Sequence, residues 1–130
     1  MALTMSTHLA NKVLDAIFNG DTVNYTDVYI SLHSADPGDT GASEISGGSY
    51  ARAATDSTFW TLAAGKLVDL DTAIEFSDMP GDTVTHIGLW DAATGGNFLW
   101  GGTLTESKTV PAGETLRFKA TDITAQIDPA

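Results

Sequence analysis

Chemistry in this chain would have to come from three histidines and seventeen acidic side chains, because it contains no cysteine. His8, His33 and His86 lack the close spacing of a zinc site, and no thiolate is present to complete one. Each is expected as a satisfied or exposed imidazole, although His33 and His86 can meet in space. The stretch "DPGDTGASE" sets Asp36, Asp39 and Glu44 on one Gly-rich segment, and carboxylate oxygens are the ligands calcium takes. The spacing departs from the EF-hand loop, and Asp-Pro is also a good turn former. A solvated turn is the favoured reading, with a calcium loop left open. Asp69 and Asp71 flank Leu70 at strand spacing and read as a solvated pair.

Nucleophilic catalysis finds no footing. No serine sits in a G-x-S-x-G elbow, and the serines of "SEISGGS" have no obvious base. The glycine pairs at 47–48, 95–96 and 101–102 precede no helical pattern, so they cannot build a phosphate-binding helix N-terminus. A glycoside hydrolase needs two particular carboxylates, and nothing singles out two among seventeen. The expectation is a non-enzyme with no catalytic residues, no cofactor and no metal.

Recognition surfaces are the remaining class. Trp90 and Trp100 fall on neighbouring strands of a hairpin, where cross-strand packing in the core is expected. Phe59 and Trp60 are adjacent, so on a regular strand one of them points away from the core. That residue is the candidate interface aromatic.

The elements that would position these residues are mostly strands. Residues 6–19 read as one N-terminal amphipathic helix, with Leu9, Ala10, Val13, Leu14, Ile17 and Phe18 on a buried face. Ser6 or Thr7 caps its start, and Asn19-Gly20 stops it. The period then changes to two in "DVYISLH", "SYARAAT", the segment around Phe59-Trp60-Leu62, "KLVDL", "AIEF", "TVTHIGLWD", "FLWGGTL", "LRF" and the Ile123–Ile127 stretch. Gly, Pro and Asp turns separate them. The pattern predicts a mainly β fold: an antiparallel sandwich or barrel over 27–128, led by one helix, in a single domain covering 1–130. A surface loop over 34–48 is longer than most connections in compact domains.

Composition narrows the partners. Six basic residues against seventeen acidic ones leave a net charge of −11, and the basic ones are scattered. Nucleic acid and anionic membranes both call for clustered Lys and Arg, so neither is an expected partner. No apolar run approaches the roughly 20 residues that span a bilayer, and the first twelve residues lack a signal-peptide pattern. The expectation is a soluble protein made in a cytoplasm.

Four stretches read together resemble a known group: the helix "LANKVLDAIF", the loop "YISLHSADPGDTGASEISGGSYAR", the hairpin "VTHIGLWDAATGGNFLWGGTL" and "SKTVPAGETLRF". They are similar to small virion accessory proteins of tailed bacteriophages, described as tail-fibre or head-decoration components. The resemblance covers nearly the whole chain. It implies a compact jelly-roll-like domain, made in the host bacterial cytoplasm, that works as an oligomer, often a trimer, as a component of the virion and without catalysis. Leu32–Pro37 and Gly47–Arg52 would be the two ends of the long loop, and Asp91–Asn97 a hairpin tip.

Under that resemblance the loop would clasp a neighbour, with Asp36, Pro37, Gly38, Asp39, Glu44, Tyr50 and Arg52 as candidate contacts. The leading expectation is a capsid decoration (cement) protein that binds the major capsid protein and stabilises the shell. The alternative is a tail-fibre or tail-tip module that binds a carbohydrate receptor on an aromatic such as Trp60.

Overall fold

The computed structural model describes residues 2–127. Among them run β1 (Ala2–Met5), α1 (Thr7–Phe18), β2 (Val28–His33), β3 (Ala53–Thr55), β4 (Leu67–Asp69), β5 (Ile74–Phe76), β6 (Asp82–Trp90), β7 (Phe98–Val110), β8 (Leu116–Phe118) and β9 (Thr124–Gln126). Seven strands form one sheet in the order β3-β2-β6-β7-β1-β9-β4, and β5 pairs with β8 in a separate ribbon. The fold is mainly β with one helix, as expected. The expected end of the sandwich at residue 128 lies outside the described residues.

The sheet is mixed rather than wholly antiparallel. β1 runs parallel to β9, with Leu3 opposite Ala125, while the other pairings are antiparallel. No hairpin joins β1 to β9, so no turn dictates their relative direction. This strand order leaves the jelly-roll-like description at the level of a β domain with a large sheet and a small ribbon. β1 itself had no place in the predicted elements, since four residues are too few for a legible period.

β6 is central, as its two apolar faces predict. Ile30 pairs with Leu89 and Leu32 with Ile87 across β2 and β6, giving one apolar face. These residues share a continuous core with Leu3, Leu70, Met79, Val84 and Ile123, and with Ile74, Phe76, Leu116 and Phe118 from the β5–β8 ribbon. The ribbon strands are buried at their first and third residues and exposed between, so the ribbon lies flat on the core. The opposite face of β6 carries Gly88 and Trp90, also buried, under the 34–52 segment.

Several local expectations are corrected. Tyr50 lies in no strand, because the "SYARAAT" segment pairs only from Ala53. Phe59 ends a single 3-10 turn (Ser57–Phe59) capped by Asp56, and Trp60 makes only an isolated bridge to Leu70. Trp90 and Trp100 are not cross-strand partners. A bulge shifts the register so that Leu89 faces Trp100 and Trp90 faces Phe98, which sends the two indoles to opposite faces.

The helix departs from expectation at its far end. Ser6 caps α1 by accepting from Leu9 N at 3.2 Å while its hydroxyl donates to Phe98 O at 2.7 Å. The start of the helix is thereby pinned to β7. Leu9 is buried, and Val13 packs against the core. Leu14, Ile17 and Phe18, expected to be covered, are 53%, 67% and 76% exposed. Anchored only at its first turns, the helix carries its last turn beyond the sheet.

Candidate functional site

The long loop is built in, through the residues that ring it. Asp36 accepts from Gly38 N at 2.9 Å, and Pro37 O accepts from both Gly41 N and Ala42 N, forming a compact turn. Asp39 accepts from Thr7 N at 2.7 Å, so the loop supplies a second cap to α1. Glu44 bridges back to His33, and Ile45 N donates to Leu32 O. Pro37, Gly41 and Ile45 are buried.

Arg52 closes the loop at its other end. Its Nε and Nη2 donate to the two oxygens of Glu44 at 3.0 and 2.9 Å, a forked pairing. Its Nη1 donates to Ala92 O and Gly95 O, both at 2.9 Å, in the tip of the β6–β7 hairpin. The guanidinium also lies 3.8 Å above the Trp90 ring centroid. Tyr50 donates to Glu44 at 2.8 Å, accepts from Leu32 N at 2.9 Å and stacks on Phe76. The hairpin tip is closed in turn by Asp91, which accepts from Asn97 N and Nδ2.

The electrostatics follow from this geometry. Burial would raise the Glu44 carboxyl, but hydrogen bonds from Arg52 and Tyr50 and the Arg52 charge outweigh it and hold it below the ordinary value. Burial, with the Glu44 carboxylate beside it, pushes the Tyr50 phenol well above its ordinary range. Glu44 is thus an anion held by an arginine, and Tyr50 a permanent donor.

Behind the loop lies a buried polar chain. Trp90 Nε1 donates to Ser31 Oγ at 2.8 Å, Ser31 Oγ lies 2.7 Å from His33 Nε2, and His33 Nδ1 lies 2.8 Å from Ala42 O. The Ala42 carbonyl can only accept, so Nδ1 carries the proton and Nε2 accepts from Ser31. That is the neutral tautomer, and burial lowers the pKa of His33 accordingly. Gly88 and Gly101 face each other across β6 and β7 and leave room for Phe98, His33 and Pro37 to approach.

His33 and His86 do meet, as register partners on β2 and β6. Both ring nitrogens of His33 are engaged, and His86 Nδ1 lies 2.7 Å from Thr85 Oγ1. Among the described residues no group of three or more His, Asp or Glu is placed to hold a metal ion. The possible calcium ligands Asp36, Asp39 and Glu44 instead serve a turn, a helix cap and an arginine.

The interface aromatics sit elsewhere. Trp60 lines an apolar groove of about 250 Å3 together with Val28, Leu89, Trp100, Ala125 and Ile127. The Trp60 indole donates to Thr55 Oγ1 and that of Trp100 to Gln126 O, both at 2.9 Å. Phe59 is half-buried and packs on the core. The groove, the exposed end of α1 and the His33 network escaped the sequence reading. Only the "YAR" arginine and the "WDAATGGN" hairpin, taken as a pair, carried a hint of the Arg52 latch.

No helix among the described residues is long and apolar enough to cross a membrane. No curated protein matches the chain. Residues 4–126 match the family model of the podophage GP4 fiber I protein gp80, a span that takes in the loop, its arginine latch and all the named groove residues but Ile127. This chain belongs to that family of tail-fibre-type phage virion proteins.

Proposed function

We propose that this chain is a non-enzymatic structural module of a phage tail fibre, which holds its place through contacts with other virion proteins and with copies of itself. The observation that carries the reading is the match to a fiber protein over residues 4–126. The site chemistry agrees with it. Glu44, Tyr50 and Arg52 of the loop and Asp91 of the hairpin are engaged in structural hydrogen bonds, which suits a preformed docking surface better than a reaction centre. A trimer is the favoured assembly.

The carbohydrate-binding form of this reading is the weaker one at Trp60. A sugar needs hydrogen-bond partners for its hydroxyls, whereas the surface around Trp60 is apolar and its indole N–H is already taken. Capsid decoration is the second reading, favoured by the net charge of −11, which suits docking on basic patches of a shell.

Quantitative mass spectrometry of purified virions separates the two. A copy number far below that of the major capsid protein is expected for a fibre component. A ratio near that of the capsid protein itself would transfer the chain to the shell.

A further inference from the structure

Of the three tyrosines, Tyr50 makes two hydrogen bonds with its phenol inside the chain. Tyr25 and Tyr29 are half-buried, and neither phenol has a hydrogen-bond partner among the described residues. Asp27, half-buried between them in sequence, has neither a hydrogen bond nor an ion pair there. These three side chains meet in one open cleft of about 370 Å3, completed by Asn24, Thr26 and Asp91. Small-ligand clefts run to roughly 300–1,000 Å3. The fold holds this one from behind. Tyr29 stands on β2 between Ala54 of β3 and Trp90 of β6, and Tyr25 packs against the core. Asp91 is fixed by Asn97 N and Nδ2 at 2.7 and 2.9 Å.

The lining selects a class of ligand. Among the described residues no Lys or Arg lines the cleft, whereas Asp27 and Asp91 both do. Lys12, whose charge reaches Tyr25, is paired with Asp21 at 2.9 Å, and Arg52 beside the hairpin is paired with Glu44. The two carboxylates therefore repel phosphate, sulfate and uronate groups. A bare cation asks only for acceptors, but the two phenols, the Thr26 hydroxyl and the Asn24 amide add donors. Donors and acceptors beside two aromatic rings suit a ligand that carries hydroxyls together with an apolar C–H face. Tyrosine supplies such a platform at low cost in side-chain entropy.

We propose that the cleft between Tyr25, Asp27, Tyr29 and Asp91 binds a neutral saccharide, with the tyrosines as its platform and Asp27 accepting from two adjacent sugar hydroxyls. The site is separate from the apolar surface at Trp60, which offers a sugar no hydrogen-bond partners. The proposal goes beyond the structural role given above. Its test uses the purified chain, so the copy number in the virion can fall either way without deciding it.

The test is a glycan array bearing neutral oligosaccharides that end in hexose, deoxyhexose or N-acetylhexosamine, beside sialylated and sulfated ones. The full chain is expected to bind one or more neutral glycans and to leave the acidic ones. Titration of a bound neutral oligosaccharide then compares the wild type with Asp27→Asn and Tyr29→Phe. Neither changed group has a partner inside the described chain to lose, so both variants should keep the wild-type circular dichroism and melting temperature. Asp27→Asn should weaken binding about tenfold or more, as expected for a hydrogen bond to a charged group, and Tyr29→Phe about threefold or more. A wild type that binds no neutral glycan overturns the proposal, as does a preference for acidic glycans. Undiminished binding by both folded variants also overturns it, since the sugar then sits elsewhere. A deca-arginine peptide whose binding is lost in Asp27→Asn, with no glycan bound, would overturn it in favour of a basic protein segment.

Discussion

Arg52 joins more of the structure than any other polar side chain of the loop. It ties Glu44, the carbonyls of Ala92 and Gly95, and the face of Trp90, with only 8% of its side chain exposed. Removing it strands a half-buried carboxylate and two carbonyls, and breaking such a pair costs about 3 kcal/mol or more. Arg52→Ala should therefore lower the urea midpoint by a corresponding amount, and Arg52→Lys, which cannot fork, should recover only part of it. Gly88 makes the companion test of packing. A methyl there would fall 2.5 Å from Phe98 and 2.8 Å from Ser31 Oγ. Gly88→Ala should cost about 2–3 kcal/mol by overpacking, with near-ultraviolet dichroism reporting displacement of Trp90.

At the scale of elements, α1 is two helices in energetic terms. Its first turns are capped by Ser6, tied to β7 and held by Asp39, while Leu14, Ile17 and Phe18 towards its end stay exposed. Leu9→Ala should destabilise the fold by about 2–4 kcal/mol, as expected for a fully buried leucine. Phe18→Ala should change the stability of the dilute monomer by less than about 0.5 kcal/mol. Thermal melts of the two variants side by side check the contrast. Equal losses would mean that the end of the helix is covered after all.

For the whole molecule, pH is the informative variable. The unfolded chain takes up a proton at His33 near its ordinary value of 6.5, and the folded chain only at lower pH. Acid therefore favours the unfolded state, and the stability present above pH 6.5 is lost progressively below it. A protonated His33 would present an N–H to Ser31 Oγ, which already accepts from Trp90. Around the ring, burial and the charges of His86 and Arg52 oppose protonation, whereas Glu44 and the Ala42 carbonyl favour it. Protonation of Glu44 removes the Arg52 pairing at still lower pH, the usual direction for a depressed carboxylate. Unfolding free energy measured from pH 8 to pH 5 should fall with pH, and His33→Gln should flatten that slope whatever its absolute stability. An unchanged slope in the variant would remove His33 from the account.

Sequence alone determined the element types wherever a period was long enough to repeat. The helix start at Ser6, the strands β2 and β6 and the 91–97 hairpin were all legible, because each follows from local spacing and turn chemistry. Membership of a phage virion family was legible too, from motifs that the structure turns into a loop, a latch and a hairpin tip. Tertiary structure decided everything that depends on which distant segments meet. The parallel β1–β9 pairing and the Arg52 bridge to Ala92 join residues far apart in the chain, and the bulge that separates Trp90 from Trp100 is a register shift that strand periodicity does not encode. Helical periodicity marks a face as apolar but cannot say how far the sheet beneath it extends. The last turn of α1 was therefore predicted to be buried and is exposed, since the sheet covers only the helix's first turns.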